Sequence, residues 1–350
     1  GSWSYPGSYG DISNSQFALL ALHEAESVGA KVSGRTWRLA KAYWEKCQNP
    51  DGSWGYRLGM PGTGSMTCAG ITSLVIANDR IHQQSARAEG DRIECCLPRQ
   101  EELDRLQMAL AWLGRNFQVS HNPQDPGRFL LYYLYGLERV GRMTAQRFIG
   151  GHDWYREGAD YLVAARDKLS GYWKGVGPAE NVDEIGTALA LLFLSKGRWP
   201  VLLSKLQYGS EDDWNQHPGD VNNLTRYVER QWGMDLTWQA IDVRAATADD
   251  LMQSPVLYLC GASSPLPGSD AGRRELAGKL RDYLDRGGFL FAEANCGGAD
   301  FDQGFRRLLE QVFPEPEYRL KLLPPEHPIW RAEKPVDPNH LRPLWGIDFG

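Results

Sequence analysis

A chain of 350 residues, 42% hydrophobic and 23% charged, has ordinary globular composition and length for about two domains. No run approaches the roughly 18 apolar residues of a membrane span, and no signal peptide is visible. Residues 1–200 carry 22 basic and 21 acidic side chains and residues 201–350 carry 16 and 23, with no basic stripe in either half, which argues against nucleic acid as a partner. The six cysteines (47, 68, 95, 96, 260 and 296) show no C-x-x-C spacing, so neither a zinc framework nor a disulfide scaffold is expected. The chain starts Gly1-Ser2, a candidate cloning remnant, without an initiator Met. It stops as Leu344–Phe349 begins a strand-like run, and is read as an excerpt whose compartment, export included, stays open.

In chain order, Ser13-x-x-Gln16 is a capping-box signature opening a helix that carries Phe17, Leu20 and Ala21 and stops at Gly29. Trp37, Ala40, Trp44 and Cys47 lie on one face of a second helix. Asn49-Pro50-Asp51-Gly52 then makes a turn, with Pro presetting φ and Gly at the last position. Gln48 is expected on the orphan carbonyls of that helix end, under the Trp54 ring. Ser65–Ala77 is small or apolar on most sides, predicting a buried helix, and 78–98 reads as a polar loop. Leu103, Leu106, Leu110, Leu113 and Phe117 predict an amphipathic helix, and Phe129–Val140 another, ended by Gly141. Asp153 and Asp183 are read as caps of two more helices, the second containing the all-round apolar run LALLFL. Alternation of buried with half-buried helices is what two layers require.

The pattern Ala40-x-x-Tyr43-Trp44-x-x-x-Gln48-x-x-x-Gly52-x-Trp54 has echoes. Gly158-x-x-Tyr161-Leu162-x-x-x-Arg166, followed by Gly171-x-Trp173, repeats it with Arg for Gln, and Ala109-x-x-Trp112-Leu113 is a shorter copy. This resembles the QW repeat of the squalene-hopene cyclase and protein prenyltransferase superfamily. The resemblance implies an α/α toroid, of which residues 1–198 would form part. It implies no chemistry here, because the D-x-D-D acid of class II cyclases is missing and no Asp or His motif follows Cys68 to complete a prenyltransferase zinc set.

After Lys196-Gly197-Arg198-Trp199-Pro200 the pattern changes. Strands are predicted at Leu203–Tyr208, Leu236–Val243, Pro255–Cys260 and Phe289–Ala294, the last two buried. Helices are predicted at 221–232, from Ser269 to Gly287-Gly288, and at 300–313. Alternating strands and helices argue a parallel sheet with right-handed crossovers. The segments KLQYGSEDDWNQHPGDVNNL, PVLYLCG, RGGFLFAEANCGG and LRPLWGIDFG together resemble the domain of unknown function 4159. That resemblance implies a class I glutamine amidotransferase-like, flavodoxin-like α/β domain over 202–350, and no established reaction.

Cys296 stands between a strand and a helix, where a helix N-terminus lowers a thiol pKa and supplies N–H groups to an oxyanion. Ala294-Asn295-Cys296-Gly297-Gly298 keeps the Cys and second Gly of the amidotransferase Gly-x-Cys-x-Gly, with Ala for the first Gly. Glu293 and His327 complete the candidate set, although His327-Pro328 is followed by Ile329 where the amidotransferase pattern has Glu. A lone His at a helix start is more commonly a cap. Glu211, Asp212, Asp213 and Asp220 could hold a cation, but a solvated loop is the plainer reading. The sequence thus leads to a partial α/α toroid joined to an amidotransferase-like domain. The expected role is a binding or scaffold module with a ligand or protein partner of unassigned class and no assigned cofactor or metal. The alternative is a Cys296-dependent hydrolase or transferase.

Overall fold

The computed structural model describes residues 1–7, 9–82, 87–89, 92–94, 100–209, 212–217, 219–295, 298–332, 335–337 and 344–347. The chain folds into two compact units. One comprises Gly1–Val201 with Gly219–Ile241, the other Leu202–Pro218 with Asp242–Gly350.

In the first unit, α1 (Ile12–Ser27), α2 (Gly34–Cys47), α3 (Gly64–His82), α4 (Gln100–Arg115), α5 (Leu130–Met143), α6 (Trp154–Ala165) and α7 (Asp183–Leu194) appear where the periodicity predicts helices. A hairpin of β1 (Arg87–Glu89) and β2 (Arg92–Glu94) lies between α3 and α4. The span 78–98, expected as loop throughout, therefore begins with the last turn of α3 and contains that hairpin. Cys95 and Cys96 lie outside the described residues. α3 packs against α1 and α5, and α5 against α7, while α2 and α4 lie on α3 and α6 on α5. The helix that touches most neighbours is the one whose sequence is apolar or small all round, as burial on every side demands.

Two tryptophans tie this unit together in the same way. The Trp54 indole N–H donates to the Trp44 carbonyl at 2.9 Å, and that of Trp173 donates to the Leu162 carbonyl at 2.7 Å. Each acceptor lies three residues before the end of its helix, α2 or α6, among the carbonyls that have no partner within the helix. The backbone N–H of Trp54 reaches Thr67 Oγ1 at 3.2 Å and that of Trp173 reaches Thr187 Oγ1 at 3.1 Å, each on the following helix. Gln48 and Arg166 occupy the same C-cap position with the same extended backbone. The expected turn is present, with Gly52 N–H on the Asn49 carbonyl at 3.0 Å and Gly52 at φ +94°.

Local corrections follow from packing. Asp11, not Ser13, caps α1, accepting from Asn14 N–H at 2.8 Å; Ser13 and Gln16 turn toward Tyr132 instead. Gln48 does not serve its own helix, a task the Trp54 indole takes. Its amide crosses to the Arg105 carbonyl at 2.9 Å and the Gly52 carbonyl at 3.2 Å. Gly141 does not end α5, which runs on to Met143; the glycine is there because a Cβ would meet the Trp154 ring at 2.0 Å. Asp183 lies inside the first turn of α7, and the cap position is Val182. The α7 run LALLFL is not buried all round: Leu191 and Leu192 are about half exposed.

The sheet runs β4-β3-β5-β6, built from β3 (Val201–Gln207), β4 (Thr237–Asp242), β5 (Val256–Gly261) and β6 (Phe289–Ala294). β3 and β6 both pair in parallel with β5, with Lys205 beside Tyr258 and Tyr258 beside Phe291. α8 (Asp220–Trp232), α9 (Ala248–Leu251), α10 (Asp270–Asp285) and α11 (Ala299–Val312) intervene or follow. Ser269 caps α10 as expected, and Phe301, Leu308 and Val312 form the buried face of α11. β6, expected as a buried strand, is the last strand of this sheet among the described residues, and its Phe289 and Phe291 are about half exposed. β7 (Lys321–Leu322) and β8 (Trp345–Gly346) form a minimal antiparallel pair.

Candidate functional site

Strand order reverses between β3 and β5: the chain leaves β3 for β4 on one side, then returns past β3 to β5 and β6 on the other. In open α/β sheets such a switch point, at the carboxyl ends of the strands, is where ligands bind. The residues meeting there come from the β3 exit, the short 3-10 turn Asp212–Asn215, the β5 exit and the start of α11.

Asp213 is the centre of this arrangement. Its carboxylate accepts the Ala262 N–H at 3.1 Å, the Ser263 N–H at 2.9 Å and the Gln216 side-chain amide at 2.5 Å. The Tyr208 hydroxyl lies 3.1 Å from Asp213 Oδ2 and 3.0 Å from the Cys260 carbonyl. Burial, with the Asp213 charge beside it, pushes the Tyr208 phenol well above its ordinary range, so it keeps its proton as a donor. Asp300, in the first turn of α11, accepts the next N–H, that of Ser264, at 2.9 Å. The successive backbone donors at the β5 exit are thus taken by the protein's own carboxylates. The Asp213 oxygens are thus committed to donors within the protein, and the residue is half-buried, not set in a solvated loop. Glu211 lies outside the described residues, and the Asp220 carboxylate accepts its neighbour Val221 N–H at 2.5 Å. Among the described residues no cluster of His, Cys, Asp or Glu could hold a metal ion.

Lys205, in the middle of β3, is fully buried. Its ammonium donates to Asn215 Oδ1 at 3.1 Å and the His217 carbonyl at 3.3 Å, and lies 5.8 Å from the ring centroids of both Trp214 and Tyr258. Oxygen acceptors and aromatic faces together make burial of that charge tolerable. Tyr258 stacks on Phe291 and donates its hydroxyl to Glu293 Oε2 at 2.6 Å.

Of the three residues expected to carry chemistry, Glu293 is thus bonded to a tyrosine. His327 caps the short turn Pro328–Arg331, its Nδ1 accepting from Ile329 N–H at 3.3 Å. Cys296 lies outside the described residues. Asn295, just before it, is buried, and among the described residues neither its side-chain nitrogen nor its oxygen has a hydrogen-bond partner. Sequence reasoning missed Lys205, Tyr208 and Tyr258. The available signal was a lysine inside the strand VLLSKLQ, since a charge buried there must be met by dedicated partners.

No curated protein matches the chain. Residues 202–341, the span holding this constellation and the parallel strands around it, match the family described as Domain of unknown function (DUF4159).

Proposed function

We propose that the chain is a binding or scaffold module, a partial α/α toroid (1–198) joined to an amidotransferase-like α/β domain (202–350), in which neither ancestral activity persists. The observation that carries the reading is the placement of the Asp213 carboxylate on the Ala262 and Ser263 N–H groups, with Tyr208 and Gln216 around it. With the Ala262 and Ser263 N–H groups given to an internal anion, those donors are not free for the oxyanion of an acyl-transfer intermediate. The toroid part draws support from the twice-used Trp-to-carbonyl and Trp-to-Thr bonds. Incubation with glutamine and with activated esters is expected to give no turnover above buffer, and incubation with squalene or prenyl diphosphates no product. Turnover that disappears in Cys296→Ser would overturn this reading.

The competing reading, a Cys-dependent hydrolase or transferase using Cys296 with Glu293 and His327, draws on Asn295, whose buried amide has both ends unbonded beside that cysteine. It requires an activated thiol, and Glu293 and Asp300 nearby in sequence oppose thiolate formation. Iodoacetamide is expected to label Cys296 at the rate of an ordinary free thiol.

A further inference from the structure

Arg139, on α5, is only 6% exposed, yet among the described residues its guanidinium has one hydrogen-bond acceptor. Nη2 donates to Gln16 Oε1 at 3.1 Å, while Nε and Nη1 are buried with no acceptor. Among the described residues no carboxylate forms an ion pair with it; Glu138, its neighbour in sequence, is spent on Arg142 at 3.5 Å. The Gln16 amide is fixed in orientation, because its nitrogen donates to the Tyr132 hydroxyl, which in turn lies 3.1 Å from Ser13 Oγ. Arg139 Cζ sits 3.9 Å from the centroid of the Tyr135 ring and 5.9 Å from that of Phe17. A buried cation with two idle donors is unfavourable unless an anion completes it.

We propose that Arg139, with Gln16, Tyr132 and Ser13 beside it, is a binding site for a small carboxylate in the helical unit. Water could satisfy the two donors but would leave the charge uncompensated. A carboxylate does both, and charge-assisted N–H···O bonds to a planar anion are what a guanidinium makes best. The ligand is singly charged because the site offers one guanidinium with no ion-pair partner among the described residues. The next guanidinium along the helix, Arg142, is engaged by Glu138 and stacked 4.1 Å from the Trp199 ring centroid. A phosphate dianion would bury excess negative charge. Entry is past Phe17, whose ring covers the guanidinium and is itself 45% exposed, so it can turn aside with little loss of packing. The assignment is independent of the role given to the α/β domain.

Calorimetry and thermal unfolding of the whole chain, with acetate and benzoate exchanged for chloride at constant ionic strength, test it. Saturable binding with a ligand-dependent rise in Tm is expected for the wild type, and neither for Arg139→Met. In carboxylate-free buffer Arg139→Met should be at least as stable as the wild type, since it removes two buried donors without acceptors. Should that variant not fold, Arg139→Lys is read in its place, with at least tenfold weaker carboxylate binding expected. Identical responses of wild type and variant, or tighter binding of phosphate than of either carboxylate, would overturn the site.

Discussion

Asp213 faces donors only, so changing one of its oxygens to an NH2 group sets donor against donor at the β5 exit. Asp213→Asn is expected to lower unfolding stability by about 1–3 kcal/mol, read from urea midpoints, because the half-buried Ala262 N–H and the exposed Ser263 N–H lose a charged acceptor. A second residue-scale consequence concerns Glu138, which is 3% exposed, with burial pushing its carboxyl up to about 7 against the opposing Arg142 and Arg139. Its folded pKa lies above the ordinary 4.5, so the folded state holds the proton more tightly. Its contribution is intact below pH 4.5 and is lost as pH rises through 7, by up to about 3 kcal/mol. Lys196 runs the other way: burial, with Arg147 nearby, lowers it to about 8 from 10.5, so its contribution returns only as pH rises from 8 toward 10.5. Glu138→Gln should remove the fall between pH 4.5 and 7, leaving the variant more stable than the wild type at pH 8. A pH series of denaturant unfolding in which the two proteins run parallel would refute the assignment.

The helix-end latch belongs to the scale of elements. Phenylalanine at 54 or 173 keeps most of the apolar plate but removes the N–H that serves Trp44 or Leu162, leaving a carbonyl of α2 or α6 unbonded. Each substitution is expected to cost about 1–3 kcal/mol, and similar amounts, because the two sites share geometry. Very unequal costs, read from urea unfolding of both variants, would show that the likeness of the two copies is superficial. These elements were legible in the sequence because 3.6-residue periodicity, Gly-Pro punctuation and strand runs are local signals, and so was the pairing of Trp54 with its turn. What was not legible depends on partners distant in the chain. Gln16 read as a capping residue because nothing nearby reveals Arg139, and Gln48 read as serving its own helix because Arg105 is far along the chain. The exposure of Phe289 and Phe291 follows from the place of β6 in the strand order, which its apolar sequence cannot state. At the candidate site the acids Glu293 and Asp213 were visible, but the donors that neutralise Asp213 are backbone groups and carry no sequence signature.

For the molecule as a whole, the division into units is not a single cut. Residues 219–241 belong to the compact unit of the helices. Within it, Ala240 N–H donates to the Ala145 carbonyl at 2.6 Å and Arg147 N–H to the Ala240 carbonyl at 2.8 Å. The proposed sequence boundary near 198–202 would strip those partners from the α5–α6 connection. A fragment ending at 200 is therefore expected to melt at lower temperature and less cooperatively than one ending at 241. Equal melting curves would favour the simpler boundary.

The N–H groups of Trp54 and Trp173 are hydrogen-bonded to hydroxyls of Thr67 and Thr187, not to a helix or strand ladder. Fraying of a helix end does not free such a proton; the turn must come away from the next helix first. Deuterium uptake at these two positions therefore times the parting of each turn from the helix that follows it. Unequal uptake at 54 and 173 under native conditions would show the helical array opening in separate segments, and equal uptake would show it opening at once.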